Sequence, residues 1–229
     1  MATDVTPGSP ADPPPRDDRS VAWRAAGRWC ALGGWVLWIA LQVVAKDPFP
    51  PEISLSQYGL GSTGWLFTLW IIVLASGPLL LMRYRPVPGP ARWLLAVGFF
   101  GSVVTAVVRT DEDGLQMSVH AKVHMTGSIL ASLFMPLGML LAIRFAAQPW
   151  RRMAGGLAVT AAAAGGMVLL SAAGTGTAGL GPAASWALWE GSLCIVEMLL
   201  VSLYALAVST IGPLPPRADP VAPVQSAVQ

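Results

Sequence analysis

Residues 64–82 read GWLFTLWIIVLASGPLLLM, with no charged side chain anywhere in the run. A helix needs about 20 mostly apolar residues to cross the hydrocarbon core of a bilayer, and this stretch has that length. Its residues do not alternate polar with apolar as barrel strands do. Backbone groups in lipid find no water, so each must bond within its own helix. The stretch therefore predicts a transmembrane helix. Five further apolar runs flank it, at about 25–44, 93–108, 119–143, 154–173 and 186–208. The run at 93–108 is the shortest and needs its flanks, or local thinning of the bilayer, to span. Together they predict an all-α integral membrane protein built as a six-helix transmembrane bundle.

Composition agrees with this reading. The chain of 229 residues is 54% hydrophobic and 11% charged, against roughly 25% charge in a soluble domain. A formal net charge of +2 offers no basic face for nucleic acid. The first 20 residues, MATDVTPGSPADPPPRDDRS, are rich in Pro and Asp and have no apolar run. They cannot bury enough surface to offset the entropy of ordering, and they lack the apolar core of a signal peptide. Residues 1–22 and 211–229 are thus expected to be disordered cytoplasmic tails around a transmembrane domain at 23–210. Cys30 and Cys194 fall near opposite membrane faces, which argues against a disulfide between them.

Basic residues set the orientation. One side collects Arg16, Arg19, Arg24, Arg28, Arg83, Arg85, Arg92, Arg144, Arg151, Arg152 and Arg217; the other has only Lys46, Arg109 and Lys122. The arginine-rich side is expected to be cytoplasmic and to hold both termini. With the Arg, Ala, Gly and Pro bias of the chain, the reading is a multi-pass protein of a bacterial plasma membrane, in contact with the lipid bilayer. Trp23, Trp29, Trp93 and Trp150 near the inner ends, and Trp65, Trp186 and Trp189 near the outer ends, read as interfacial anchors. Pro78 and Pro136 are expected to kink their helices. Ala161, Gly165 and Gly166 read as a close-packing surface on the fifth helix.

Polar chemistry gathers toward the arginine-poor side. On the fourth helix His120, His124, Ser128 and Ser132 recur every four residues and share a face. Gly98, Ser102, Thr105 and Arg109 do so on the third run, and Glu190, Cys194, Glu197 and Tyr204 on the sixth. Polar stripes on lipid-embedded helices should face one another. They predict an outward-facing polar pocket ringed by Arg109, Asp111, His120, His124 and Glu190, with Glu197 deeper. His120 and His124, one turn apart, could meet a divalent metal such as zinc, with Asp111 as a third ligand. The alternative is that they bond neighbouring helices or carboxylates. Glu197 lies far inside its span, where a carboxylate is costly unless paired or protonated. Glu197, Glu190 and Asp111 are therefore the candidate catalytic acids, and Arg109, Ser56, Tyr58, Trp186 and Trp189 the candidate ligand-binding residues.

The same residues carry a family resemblance. SLSQYGLGSTGWLFTLWIIVLASGPLLL, then VVRTDEDG, then HAKVHMTGSILAS resembles the six-helix membrane family called "domain of unknown function 998", over roughly residues 25–210. The resemblance implies the six-helix fold and marks Ser56, Tyr58, Gly59, Asp111, His120 and His124; it implies no activity. A looser similarity is to the membrane hydrolases that include alkaline ceramidases and progestin/adipoQ-type receptors, which hold zinc with three histidines. This chain has two, so a carboxylate would have to stand in.

Three classes of function fit. The protein could bind or process a lipid or other apolar ligand in the outward pocket. It could be a small transporter or a component of a proton-coupled permease, using Glu197 and the histidines as a relay. It could be a non-catalytic assembly partner, as a homo-oligomer or with another membrane protein. The chain has no G-x-x-x-x-G-K-[ST], G-x-S-x-G, H-E-x-x-H or C-x-x-C-H motif.

Overall fold

The computed structural model describes residues 18–46, 53–85, 87–112, 118–144, 146–177 and 179–210. Six helices run through them: α1 Asp18–Ala45, α2 Gly64–Tyr84, α3 Gly89–Val107, α4 Val119–Ile143, α5 Gln148–Ala172 and α6 Pro182–Thr210. No strand occurs among the described residues. All six are long and apolar enough to cross a membrane, so the chain is a multi-pass membrane protein in contact with lipid. The greater part of both expected tails lies outside the described residues. Residues 18–22, however, form the first turn of α1.

The helices also overrun several of the apolar runs. α1 begins at Asp18 rather than near Ala25, α5 at Gln148 rather than near Ala154, and α6 at Pro182 rather than near Trp186. Polar first turns stay helical outside the hydrocarbon layer. Proline favours that entry, because its missing N–H is not needed in the first turn. Pro90 and Pro149 stand there in α3 and α5. Pro78 and Pro136 lie inside helices that continue past them.

Consecutive helices pair as antiparallel hairpins. In α1 and α2, Gly27 faces Leu81 and Gly34 faces Leu74. The α3–α4 pair is tighter. A Cβ built on Gly101 would lie 2.6 Å from Ala131 N and 2.6 Å from the Gly127 carbonyl, and one on Gly127 would lie 2.9 Å from the Gly101 carbonyl. Gly98 and Gly138 meet Met135 and Leu95 in the same seam. Small residues let backbones approach in lipid, where van der Waals contact drives helix association. Within the chain the close packing is therefore here, whereas a Cβ on Gly165 or Gly166 of α5 meets nothing within 4 Å. Glycine frequency alone did not reveal which stripe had a partner.

α6 is the central helix, contacting α1, α2, α4 and α5. Half of its most apolar window is buried, against 17% for α1 and α5. Two apolar clusters meet along it. One lies toward the arginine-rich end and includes Leu81, Leu95, Met139, Ile143, Leu200 and Tyr204. The other joins Leu41, Leu66, Phe67, Trp70 and Met198 to Leu55 and Tyr58 of the segment before α2. Trp35 of α1 donates to the Ser202 hydroxyl of α6 at 2.9 Å, a cross-helix bond of the kind that holds membrane bundles together.

Candidate functional site

At the arginine-poor end, the described part of the connection between α1 and α2, residues 53–63, is folded. It makes two short 3-10 turns, Leu55–Gly59 and Gly61–Thr63. Ser54 starts the first, and its backbone N–H donates to Gln57 Oε1 at 2.8 Å. This is the reciprocal half of a capping box, written in the sequence as Ser-x-x-Gln. The Gln57 amide also donates to the Glu112 carbonyl at 2.7 Å, tying the turn to the connection after α3. Tyr58 is 3% exposed and packs into the second apolar cluster.

Glu190 fastens this turn to α6. Its Oε2 accepts from the Leu55 backbone N–H at 2.9 Å and from Trp186 Nε1 at 3.2 Å, and the Ser56 hydroxyl and backbone N–H also bond the carboxylate. Ser56, Trp186 and Glu190, each a candidate site residue, come together here. The carboxylate is thereby committed to donors at the start of a 3-10 turn, the place where a helix favours negative charge. Trp189 turns elsewhere: its Nε1 donates to Thr177 Oγ1 at 2.6 Å. Thr177 and Ser171 both bond Ser185, which closes the α5–α6 connection. Trp23, Trp29, Trp65 and Trp93 are exposed on the helix surface, as interfacial anchors should be; Trp186 and Trp189 are half-buried hydrogen-bond donors.

Asp111 serves α4. It accepts from the Ser118 N–H at 3.0 Å and from the Ser118 hydroxyl at 2.5 Å, and the same hydroxyl accepts from the Ala121 N–H. Ser118 is the N-cap, so Asp111 orients the cap and places negative charge at a helix N-terminus. Arg109 is exposed and lies across Gly64 at the entry of α2, where a Cβ would collide with its guanidinium. Asp113 falls outside the described residues.

The two histidines part company. His120 is exposed and His124 is 3% exposed. His124 Nδ1 lies 2.6 Å from the Val108 carbonyl. A carbonyl only accepts, so Nδ1 carries the proton and Nε2 is left with a lone pair. Nε2 is buried without a partner among the described residues. Beside it, Thr105 and Ser128 bond across the α3–α4 seam at 3.2 Å. No group of three or more His, Cys, Asp or Glu side chains among the described residues is placed to hold a metal ion. His120, His124 and Asp111 are instead divided among a solvated helix face, a helix seam and a cap, so the residues do not fit a zinc centre.

The ring of residues expected around one pocket thus resolves into separate bonded units. Glu197 is an acid that the fold engages only in part. Ser132 of α4 bonds its carboxyl group, while its Oε1 is buried and without a partner among the described residues. One concavity among the described residues is apolar: an open groove of about 340 Å³ between α3 and α4, lined by Phe100, Val104, Val123 and Leu130 with Lys122 and Thr126 beside them. Composition signalled none of it, because the groove exists only once α3 and α4 lie side by side.

Over residues 29–207 the chain matches the family model described as "Protein of unknown function (DUF998)". No curated protein and no solved structure matches it.

Proposed function

We propose that this chain, which belongs to the DUF998 family of proteins of unknown function, binds a phospholipid in the groove between α3 and α4. The observation that carries this reading is the groove itself. Its walls accept an acyl chain, and Lys122 stands one turn inside the Ser118 cap. There its apolar stem can lie along the wall while the ammonium reaches a lipid phosphate. On the basic-residue asymmetry, this end faces away from the cytoplasm. Binding is favoured over processing because Glu190 and Asp111 already hold backbone and hydroxyl donors of the protein.

Native mass spectrometry from nanodiscs of phosphatidylglycerol or phosphatidylcholine tests the proposal. The wild type should leave the disc with one lipid retained, preferentially phosphatidylglycerol. Val123→Trp fills the groove and should abolish retention. Lys122→Gln should reduce the preference for the anionic lipid about fivefold, since one cation near a lipid surface contributes about 1 kcal/mol. Equal retention by Val123→Trp and wild type would overturn it.

Glu197 favours a second reading, proton transfer through the bundle, because intramembrane carboxyl groups without a full set of partners are the usual relays. Proteoliposomes holding the protein and a lumenal pH dye should then acidify faster than empty vesicles under an imposed gradient. Glu197→Gln should remove the difference. Equal rates with and without protein would dispose of this reading.

A further inference from the structure

The seam between α3 and α4 carries buried polar groups that its glycine packing does not need. At its arginine-poor end stands His124, whose Nδ1–H donates at 2.6 Å to the carbonyl of Val108, the C-cap of α3. Its Nε2 keeps a lone pair, buried and without a partner among the described residues. One turn further along α4, Ser128 stands 3.2 Å from the buried hydroxyl of Thr105 on α3. Another turn on, Ser132 bonds the carboxyl group of Glu197 from α6. Glu197 Oε1 is again buried without a partner among the described residues. Met135 and Met139 of α4 share one apolar cluster with Leu200 and Leu203 of α6, so the Ser132–Glu197 bond crosses an interface that stays packed below it. His124, Ser128 and Ser132 are spaced by four and follow one face of α4 over about 12 Å.

The hydrogen bonds along this face are reversible. A hydroxyl has one proton and two lone pairs. Ser128 can give its proton to the His124 carbonyl at 3.1 Å or to Thr105. Thr105 can give its own to the Gly101 carbonyl at 3.0 Å or to Ser128. Each hydroxyl has two places for its proton and turns between them without disturbing its helix. At the two ends lie an imidazole nitrogen and a carboxyl oxygen, the groups that take up and release protons most readily. Buried acceptors of this kind are ordinarily met by ordered water. Purely structural packing has no use for them, and the part of α4 below Ser132 is accordingly apolar.

We infer that the α3–α4 seam is the route by which a proton reaches Glu197, with His124 as the entry group and Thr105, Ser128 and Ser132 lining a file of water between them. The inference rests on the proton-transfer reading of Glu197 and names its path. A proton from the arginine-poor side adds to the Nε2 lone pair and gives the imidazolium, while Nδ1–H keeps its bond to Val108. Nε2 then releases its proton into the file. Each water or hydroxyl passes one proton on as it receives another, and the last protonates the Glu197 carboxylate. Only N–H and O–H bonds form and break, and the file itself ends uncharged.

The test measures acidification of proteoliposomes that hold the full chain and a lumenal pH dye, with every variant in the same lipid. Unfolding temperature in detergent controls for folding. Thr105→Val keeps the shape of the side chain and removes its oxygen. It should cut the protein-dependent rate about tenfold, the scale of one hydrogen bond to a charged group, while Thr105→Ser keeps the wild-type rate. His124→Asn keeps an N–H for the Val108 carbonyl and has no basic nitrogen. It should cut the rate about a hundredfold, the lower scale for a positioned acid–base group. A rate that survives in Thr105→Val and His124→Asn but is lost in Glu197→Gln would show that the proton arrives by another way; the path is then overturned and the Glu197 reading stands. An equal fall in Thr105→Val and Thr105→Ser would make Thr105 a packing residue and overturn the file. A wild-type rate no higher than that of empty vesicles would overturn both. Thr105→Val matches the native residue in shape, so the test holds even if His124→Asn fails to fold.

Discussion

Glu190→Leu should loosen the whole arginine-poor end of the bundle, lowering stability by about 3 kcal/mol or more. The Glu190 carboxylate holds the Leu55 N–H, the Ser56 hydroxyl and N–H, and the Trp186 indole N–H. Truncating it leaves these donors without an acceptor, and each buried orphan costs about 1–3 kcal/mol. Glu190→Gln keeps one acceptor oxygen and should lose only about 1 kcal/mol. Thermal unfolding in detergent, read by tryptophan fluorescence, separates the two. The same donors anchor the turn whose Gln57 reaches Glu112. Hydrogen exchange at Leu55 and Gln57 should therefore accelerate in Glu190→Leu while exchange in the α3–α4 seam stays slow. Unchanged stability in Glu190→Leu would mean that this carboxylate is not what holds the turn.

Gly101→Ala should do more damage than its single methyl group suggests. The added Cβ would fall 2.6 Å from Ala131 N, 2.6 Å from the Gly127 carbonyl and 2.7 Å from Leu130 Cβ. Two of those three atoms are backbone, so no rotamer change relieves the contact, and α3 and α4 must separate along their length. Overpacking of this kind costs about 1–3 kcal/mol in well-packed interiors, and a seam built on direct backbone contact places the substitution at the upper end. Gly166→Ala is the internal control. Its Cβ meets nothing within 4 Å, and alanine is favoured over glycine in a helix by up to about 1 kcal/mol. The fraction of monodisperse protein after extraction, with its unfolding temperature, should fall sharply for Gly101→Ala and hold or rise for Gly166→Ala. Equal behaviour would refute the placement of the tight seam.

The candidate site was legible unevenly, and particular residues show why. Ser56, Trp186 and Glu190 are each singled out by the sequence and do meet, because a carboxylate about two turns inside α6 must find donors nearby. Gln57 is a functional position that hydropathy does not mark, although Ser54-x-x-Gln57 spells a cap, because a short polar segment between two spans carries no periodic signal. Helical spacing put His120 and His124 one turn apart but left their surroundings open. One turn of α4 separates an exposed ring from one sealed in the α3–α4 seam. The Gly165–Gly166 stripe of α5 meets no neighbour within the chain, because small residues permit close approach without supplying the helix to approach.

The number of spans and their helical character were written in the chain alone. Lipid offers no partner to a backbone group, so an apolar run of sufficient length has only one local structure open to it. No tertiary contact is needed to reach that conclusion. Which glycines touch, which acids are spent on donors and where a groove opens were decided only by the packed bundle. Those outcomes depend on the rotation and register of each helix against its neighbours, and the hydrophobic effect does not set them in a medium as apolar as the side chains. They arise where backbones approach most closely, along Gly101 and Gly127, and where isolated polar groups such as Glu190 find donors on a different segment.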